Sequence, residues 1–179
     1  MDADTPKRSE IISELFMQYS NDIYRYARYS LPSDVDAKDV VQEVFLRAFR
    51  AWDRFEGNAN VKTWLLSIAR NYIYDLLRQK RRQRLRETEL TEDRYTGMNL
   101  NTIVELEDAL SRLHPNYQQV LVLRWIQDMS VADAAKVLDW SEAKVTTTFH
   151  RARKKLLKEL RDNPELSLEF KGGDTANEK

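Results

Sequence analysis

Apolar residues return every three or four positions along most of this chain, the period of helices with one buried face. Leu15, Phe16, Tyr19, Ile23, Tyr26 and Ala27 define a first helix from about Ser9 to Ser30. Pro32 ends it, because proline lacks the amide hydrogen a helix interior needs. Ser33 or Asp34 stands where the next helix needs an N-cap. That helix carries Val40, Val41, Val44, Phe45, Ala48, Phe49 and Trp52. Gly57, Asn58 and Asn60 mark a loop, and a third helix starts near Val61. Its Val61, Leu65, Ile68, Tyr72 and Leu76 form an inward stripe. Its opposite face, Ser67, Asn71, Asp75, Arg78 and Arg82, is a polar ridge beside aromatic positions.

From Gln83 to Asn101 the periodicity lapses, which predicts a flexible linker. A second helical set follows. Ile103, Leu106, Ala109, Leu110 and Leu113 form one segment, which the sequence His114-Pro115-Asn116 interrupts. Tyr117, Val120, Leu121, Leu123 and Trp125 form another. The pattern predicts an all-α protein of two small helical domains, residues 9–82 and 102–161, the second a four-helix domain. Residues 162–179 are polar and read as a disordered tail.

Composition narrows the class. The chain has 179 residues, 42% hydrophobic and 32% charged, with too few glycines and prolines for a turn-rich β fold. It has no cysteine, which excludes disulfides, thiolate metal sites and a cysteine nucleophile. No apolar run is long enough to span a bilayer, and the first ten residues lack the apolar core of a secretory signal. A cytoplasmic location and no membrane insertion are expected. The formal net charge of zero hides two basic blocks, Lys62–Arg86 and Lys144–Arg161, separated by an acidic stretch. Two basic elements suggest two contacts on a polyanion, although solvated helix faces would account for either block alone.

The segment from Ser130 to Leu160 reads as a helix-turn-helix. Ser130 caps a short helix with an apolar face of Val131, Ala134, Ala135 and Leu138. Asp139 falls where the turn needs a left-handed residue, a conformation aspartate tolerates better than most. Trp140 plugs the turn and Ser141 caps the next helix. There Val145, Phe149, Ala152, Leu156 and Leu160 share one face, so Thr146 and Thr147 point outward and Thr148 lies toward the edge. His150, Arg151, Arg153, Lys154 and Lys155 follow outward. Threonine is a mediocre helix former, yet a strand would alternate Phe149 and Arg151 on one face. A basic helix with its first turns at base edges in the major groove is the expected docking mode. An ordinary helical hairpin with a solvated basic face is the competing reading.

Together these motifs resemble a bacterial sigma factor of the extracytoplasmic-function group. "DAKDVVQEVFLRAFRAWDRFEG" looks like the second-region core helix, and "KTWLLSIARNYIYDLLR" like the promoter-opening helix. "LHPNYQQVLVLRWIQDMSVADAAKVL" looks like the start of the fourth-region domain, and "SEAKVTTTFHRARKKL" like its recognition helix. The resemblance implies a dissociable subunit that directs RNA polymerase core to promoters. It implies that Asp36, Asp39, Gln42 and Glu43 meet the polymerase, whose expected docking points are the β′ clamp helices and the β flap. Phe55 and Asn71 match the base-capture positions for the −10 element, where a ring stacks and an amide bonds a base edge. Lys62, Trp64, Arg70, Arg78 and Arg82 would line the strand path, with Trp64 also readable as core. Against the −35 duplex it implies Arg124, Lys144, Thr146, Thr147, His150, Arg151, Arg153 and Lys154. Basic residues are common in the family where this chain has Thr146 and Thr148, which shifts readout toward hydroxyls and methyls. An anti-sigma factor is the implied regulator.

Two rival classes remain in view. A stand-alone two-domain helix-turn-helix regulator would bind duplex tightly without polymerase. An enzyme lacks support: His114 and His150 are the only histidines, and no phosphate loop, nucleophile motif or metal cluster occurs. No cofactor is expected.

Overall fold

The computed structural model describes residues 5–31, 36–57, 59–86 and 102–160. The helices are α1 (Thr5–Ser30), α2 (Ala37–Ala51), α3 (Val61–Arg86), α4 (Thr102–Ser111), α5 (Pro115–Leu121), α6 (Val131–Leu138) and α7 (Glu142–Glu159). A short 3-10 turn, Trp52–Arg54, follows α2, and a π-helical segment, Val122–Ile126, extends α5. No strand occurs among the described residues. The all-α expectation therefore holds, as does the helix-turn-helix in the second set.

In the first set α1, α2 and α3 pack pairwise. Ile23, Tyr26, Ala27, Val44, Ala48 and Leu65 are fully buried. Each large apolar side chain so buried contributes roughly 1.5–3 kcal/mol. In the second set α7 packs against α4, α5 and α6, with Leu110, Val120, Leu138, Val145, Ala152 and Leu156 at its centre.

Several local expectations change. α1 begins at Thr5 rather than Ser9. Phe16 is 44% exposed, because it sits at the margin of α1 and meets Phe45 edge-on at 5.0 Å, while Ile12 takes the core position. The cap of α2 is Asp36, whose carboxylate accepts from the Lys38 amide at 2.8 Å. Pro32, Ser33 and Asp34 lie outside the described residues, as do the linker from residue 87 to 101 and the tail beyond 160. α3 continues through Arg86, past Gln83, since arginine, lysine, glutamine and leucine are all good helix formers. The deepest face of α3 is Leu65, Leu66, Ala69 and Ile73, while Val61, Ile68, Tyr72 and Leu76 are half-buried. α3 has this broader buried face because it packs against α1 and α2 and also against α6 of the second set.

The turn chemistry of the second set is as the residues dictate. The His114 ring nitrogen accepts from the Asn116 amide at 3.3 Å and Pro115 opens α5, where its missing amide hydrogen costs nothing. Ser130 caps α6 by accepting from the Asp133 amide at 3.0 Å, and Ser141 caps α7 by accepting from the Lys144 amide at 3.3 Å. Asp139 adopts φ 54° and ψ 49°, the left-handed turn expected between the two helices. The π-helical segment was not foreseen; the apolar run Val120–Leu123 fits a continuous α-helix equally well by periodicity.

Candidate nucleic-acid interface

Two surfaces carry the candidate chemistry. The first begins at the end of α2. Gly57, at φ 69°, turns the chain there, in a backbone region that disfavours side chains. Asn60 then caps α3: its side chain accepts from the Lys62 amide at 2.8 Å and its carbonyl from the Trp64 amide at 3.0 Å. This loop brings three rings together. Trp52 and Phe55 stack at 5.5 Å, Phe55 and Trp64 lie at 4.7 Å, and Trp52 and Trp64 meet edge-on at 5.9 Å. All three are half-buried. Trp64 is thus neither sealed in the core nor free of it. Trp52, read from the sequence only as a core position, is part of the same nest.

Along α3 the polar ridge is solvent-facing. Asn71, Asp75, Arg78 and Arg82 are exposed, and Ser67 is half-buried with its hydroxyl bonded back to the Thr63 carbonyl at 2.8 Å. Arg70 donates to the Asn71 side-chain oxygen at 2.9 Å and its guanidinium lies 5.6 Å from the Tyr74 ring. That bond engages the Asn71 side-chain oxygen and leaves its NH2 group as the donor of an exposed side chain. Tyr74 is 55% exposed, a second ring on this face that an inward apolar stripe does not predict. Lys62 pairs with Asp22 of α1 at 3.2 Å.

The second surface is α7. Lys144, Thr146, Thr147, His150, Arg151 and Lys154 are exposed, and Thr148 and Arg153 half-buried. The Thr146 hydroxyl donates to the Glu142 carbonyl at 3.0 Å, so its proton is engaged and the exposed side chain offers an acceptor oxygen and a methyl group rather than a donor. Lys144 lies over the Trp140 ring at 4.2 Å, which holds its ammonium at the turn. Arg124 is placed differently from its neighbours in the candidate set. It is half-buried, donates to the Met129 carbonyl and sits 5.6 Å from the Phe149 ring. Burial lowers its pKa, opposed by the nearby Asp128 carboxylate. It braces the loop before α6 against the recognition helix.

The residues of the third candidate set share the start of α2. Asp39 and Gln42 are exposed, while Glu43 pairs with Arg47 at 2.7 Å, and Arg47 in turn lies 4.5 Å from the Tyr72 ring. Asp36 is occupied as the α2 cap. α2 also exposes Leu46 (52% exposed) and α1 exposes Met17, two apolar residues that the sequence reading passed over, together with Phe16, which it read as part of the apolar stripe of α1. Leu46 falls outside the buried stripe of α2, and that misplacement was the available signal. No group of acidic or histidine side chains with metal-binding geometry occurs among the described residues.

A helical set with a ringed loop and polar ridge, followed by a helix-turn-helix set, is the architecture of the sigma-70 type. The family model for Sigma-70 region 2 matches residues 15–83 and that for Sigma-70, region 4 matches residues 103–156. The ECF RNA polymerase sigma factor SigX of Bacillus subtilis is 34% identical over 164 residues, covering 84% of each chain. The RNA polymerase sigma factor YlaC of the same organism is 31% identical, covering 86% of this chain and 94% of that one. Among solved structures, CnrH in complex with the cytosolic domain of CnrY matches at TM-score 0.67 and 28% identity, over 90% of this chain and 99% of that one. The sigma factor RpoE of Bartonella quintana, solved with the anti-sigma factor NepR, shares the fold at TM-score 0.72 and 22% identity, over 84% and 97%. The chain belongs to the extracytoplasmic-function group of the sigma-70 family. It is an alternative sigma factor, directing transcription initiation by RNA polymerase.

Proposed function

We propose that the two surfaces divide promoter recognition between them. The ringed loop and α3 ridge take the −10 element as melted strand. Phe55, with Trp64 beside it, stacks an extracted base, Asn71 bonds its edge, and Lys62, Arg70, Arg78 and Arg82 guide the phosphates. The exposed face of α7 takes the −35 element as duplex, with Thr146 and Thr147 at base edges and Lys144, His150, Arg151, Arg153 and Lys154 at or near the backbone. Arg124 supports this docking by holding the loop before α6. On this reading residues 9–82 form the polymerase-binding and −10 domain, residues 102–161 the −35 domain, and 83–101 the connection.

The start of α2, through Asp36, Asp39, Gln42 and Glu43, docks on the β′ clamp helices of the polymerase, and the carboxy-terminal domain meets the β flap. The protein works in the cytoplasm without a catalytic centre or cofactor of its own. An anti-sigma factor regulates it, as the complexes of CnrH and RpoE suggest by likeness. No described helix is long and apolar enough to cross a membrane.

The observation that carries this reading is the exposed, pre-oriented Asn71 amide on the helix that begins beneath the aromatic nest. A stand-alone regulator has no use for a ring-and-amide surface remote from its recognition helix. Run-off transcription with purified core polymerase tests it. Wild type starts discrete transcripts. Asn71→Ala binds core normally but yields fewer open complexes, and equal open-complex yield refutes the role assigned to Asn71.

A further inference from the structure

The aromatic nest has a second neighbour. Trp52, which stacks on Phe55 and meets Trp64, also lines a cleft of about 220 Å³ between the start of α1 and the turn that follows α2. Lys7, Arg8 and Ile11 line it from α1, and Trp52 and Asp53 from the turn. None of the residues assigned above to the −10 surface lines this cleft.

The cleft gathers the groups that hold a nucleotide. Trp52 and Ile11, both half-buried, supply an indole and an apolar neighbour. The Arg8 guanidinium pairs with the Asp53 carboxylate and lies 5.6 Å from the Phe49 ring, so its head is held in place. Its Nε is buried without a hydrogen-bond partner, so the protein satisfies this head only in part. Lys7 is exposed and forms no ion pair among the described residues. A structural bracket between α1 and α2 accounts for Arg8 with Asp53. It needs neither Lys7 nor a half-buried indole. Two cations at the start of a helix also gain nothing from its dipole, which favours anionic side chains there.

We propose that this cleft is a second nucleotide subsite for the melted strand, beyond the captured base. The inference rests on the promoter reading above. The Trp52 ring stacks on the incoming base, and Lys7 pairs with its phosphate. The Trp52 and Phe55 rings lie 5.5 Å apart, so bases on the two rings are about one or two nucleotides from each other along an extended strand. Arg70, Arg78 and Arg82 lie along α3, and Lys7 lies on α1 across the nest from them. A strand guided along α3 into the nest therefore continues into the cleft. Asp53 moderates the subsite: it occupies Arg8 and repels a phosphate, so its removal strengthens binding.

The test uses holoenzyme at saturating core polymerase. It is bound to fork-junction promoter DNAs whose non-template strand is lengthened one nucleotide at a time past the captured base. Wild-type affinity rises at the captured base. It rises again by about tenfold when the strand reaches the cleft, the worth of one stacked base. Lys7 and Asp53 are exposed, so their variants keep the fold, which thermal unfolding checks. Lys7→Glu keeps the first rise and cuts the second to less than about twofold. Lys7→Ala lowers the slope of log affinity against log salt by about 0.7 on the long strand and leaves it unchanged on the short one. Asp53→Asn frees Arg8 and enlarges the second rise about two- to fivefold. A bracket with no other role predicts the reverse pattern: Asp53→Asn lowers the melting temperature and leaves the strand-length profile as it was. A single rise with no second, a second rise that Lys7→Glu leaves intact, or an Asp53→Asn profile equal to wild type overturns the subsite and leaves the promoter reading standing. No rise at any length means that Phe55 and Asn71 capture no base, and both readings fall.

Discussion

α3 and α7 are both long, basic and partly exposed, yet they offer nucleic acid opposite chemistry. α3 starts from three clustered rings and presents an oriented amide, with cations further along. α7 presents threonines and cations and keeps its one large ring, Phe149, half-buried against Arg124. A base must leave the duplex before a ring can stack on it, so rings suit strand capture. A convex helix with short polar groups fits into an intact groove. On the proposed reading the difference teaches that side-chain type, more than charge, assigns each helix its substrate form. Both helices are basic, and charge alone would make them equivalent.

Changes that separate the two helices sharpen this contrast. The largest effect expected is on folding. Leu156→Ala empties a fully buried site under α7 and should cost about 2–5 kcal/mol. Thermal unfolding should show the loss, with −35 binding weakened and capture of a single-stranded −10 oligonucleotide retained. Loss of both activities together would mean the halves are one cooperative unit.

Next comes Asn71→Ala. Removing the amide should lower open-complex yield about tenfold or more, roughly the 1–3 kcal/mol of a base contact. Duplex −35 binding should not move. The contrast breaks if Asn71→Ala weakens duplex and strand alike.

Within α7, two substitutions should differ in kind. Thr147→Ala should change which −35 bases are selected from a randomised library, by about 1 kcal/mol, with the salt dependence unchanged. Lys154→Ala should weaken all sequences equally and lower the slope of log affinity against log salt by about 1. Identical behaviour of the two would reduce α7 to a phosphate clamp.

The smallest effect is confined to the amino-terminal half. Burial pushes the Tyr26 phenol well above its ordinary range, with Arg70 and Ser30 opposing. The unfolded chain loses that proton from about pH 10 upward, while the folded chain keeps it. Stability is therefore full below pH ~10 and declines as pH rises beyond it. Melting temperature should fall between pH 9 and 11, and Tyr26→Phe should flatten the fall.

Periodicity exposed the helices and the outward face of α7, because Val145, Ala152 and Leu156 repeat with one clear buried side. The caps Ser130 and Ser141 and the left-handed Asp139 were legible too, since their chemistry is local. What failed was what depends on contact between distant segments. Leu66, Ala69 and Ile73 are buried partly because α3 has neighbours on two sides, which no single amphipathic stripe reveals. Phe16 and Leu46 look like core residues by type and are exposed by position. The bracing role of Arg124 and the Arg28–Glu107 pair join residues far from each other's local pattern. The candidate site residues were named by residue type and resemblance; their orientation, such as Arg70 steering Asn71, required coordinates.

The central claim is that one helix captures melted strand while the other reads duplex, in the service of polymerase. Run-off transcription from a promoter carrying separately mutated −10 and −35 elements, with core polymerase and either wild type or Asn71→Ala, tests it most directly. The account predicts that wild type initiates, and that Asn71→Ala still occupies the intact promoter through its −35 element but opens it poorly. No transcript from wild type with core on any promoter, or an Asn71→Ala variant that opens as well as wild type, contradicts it.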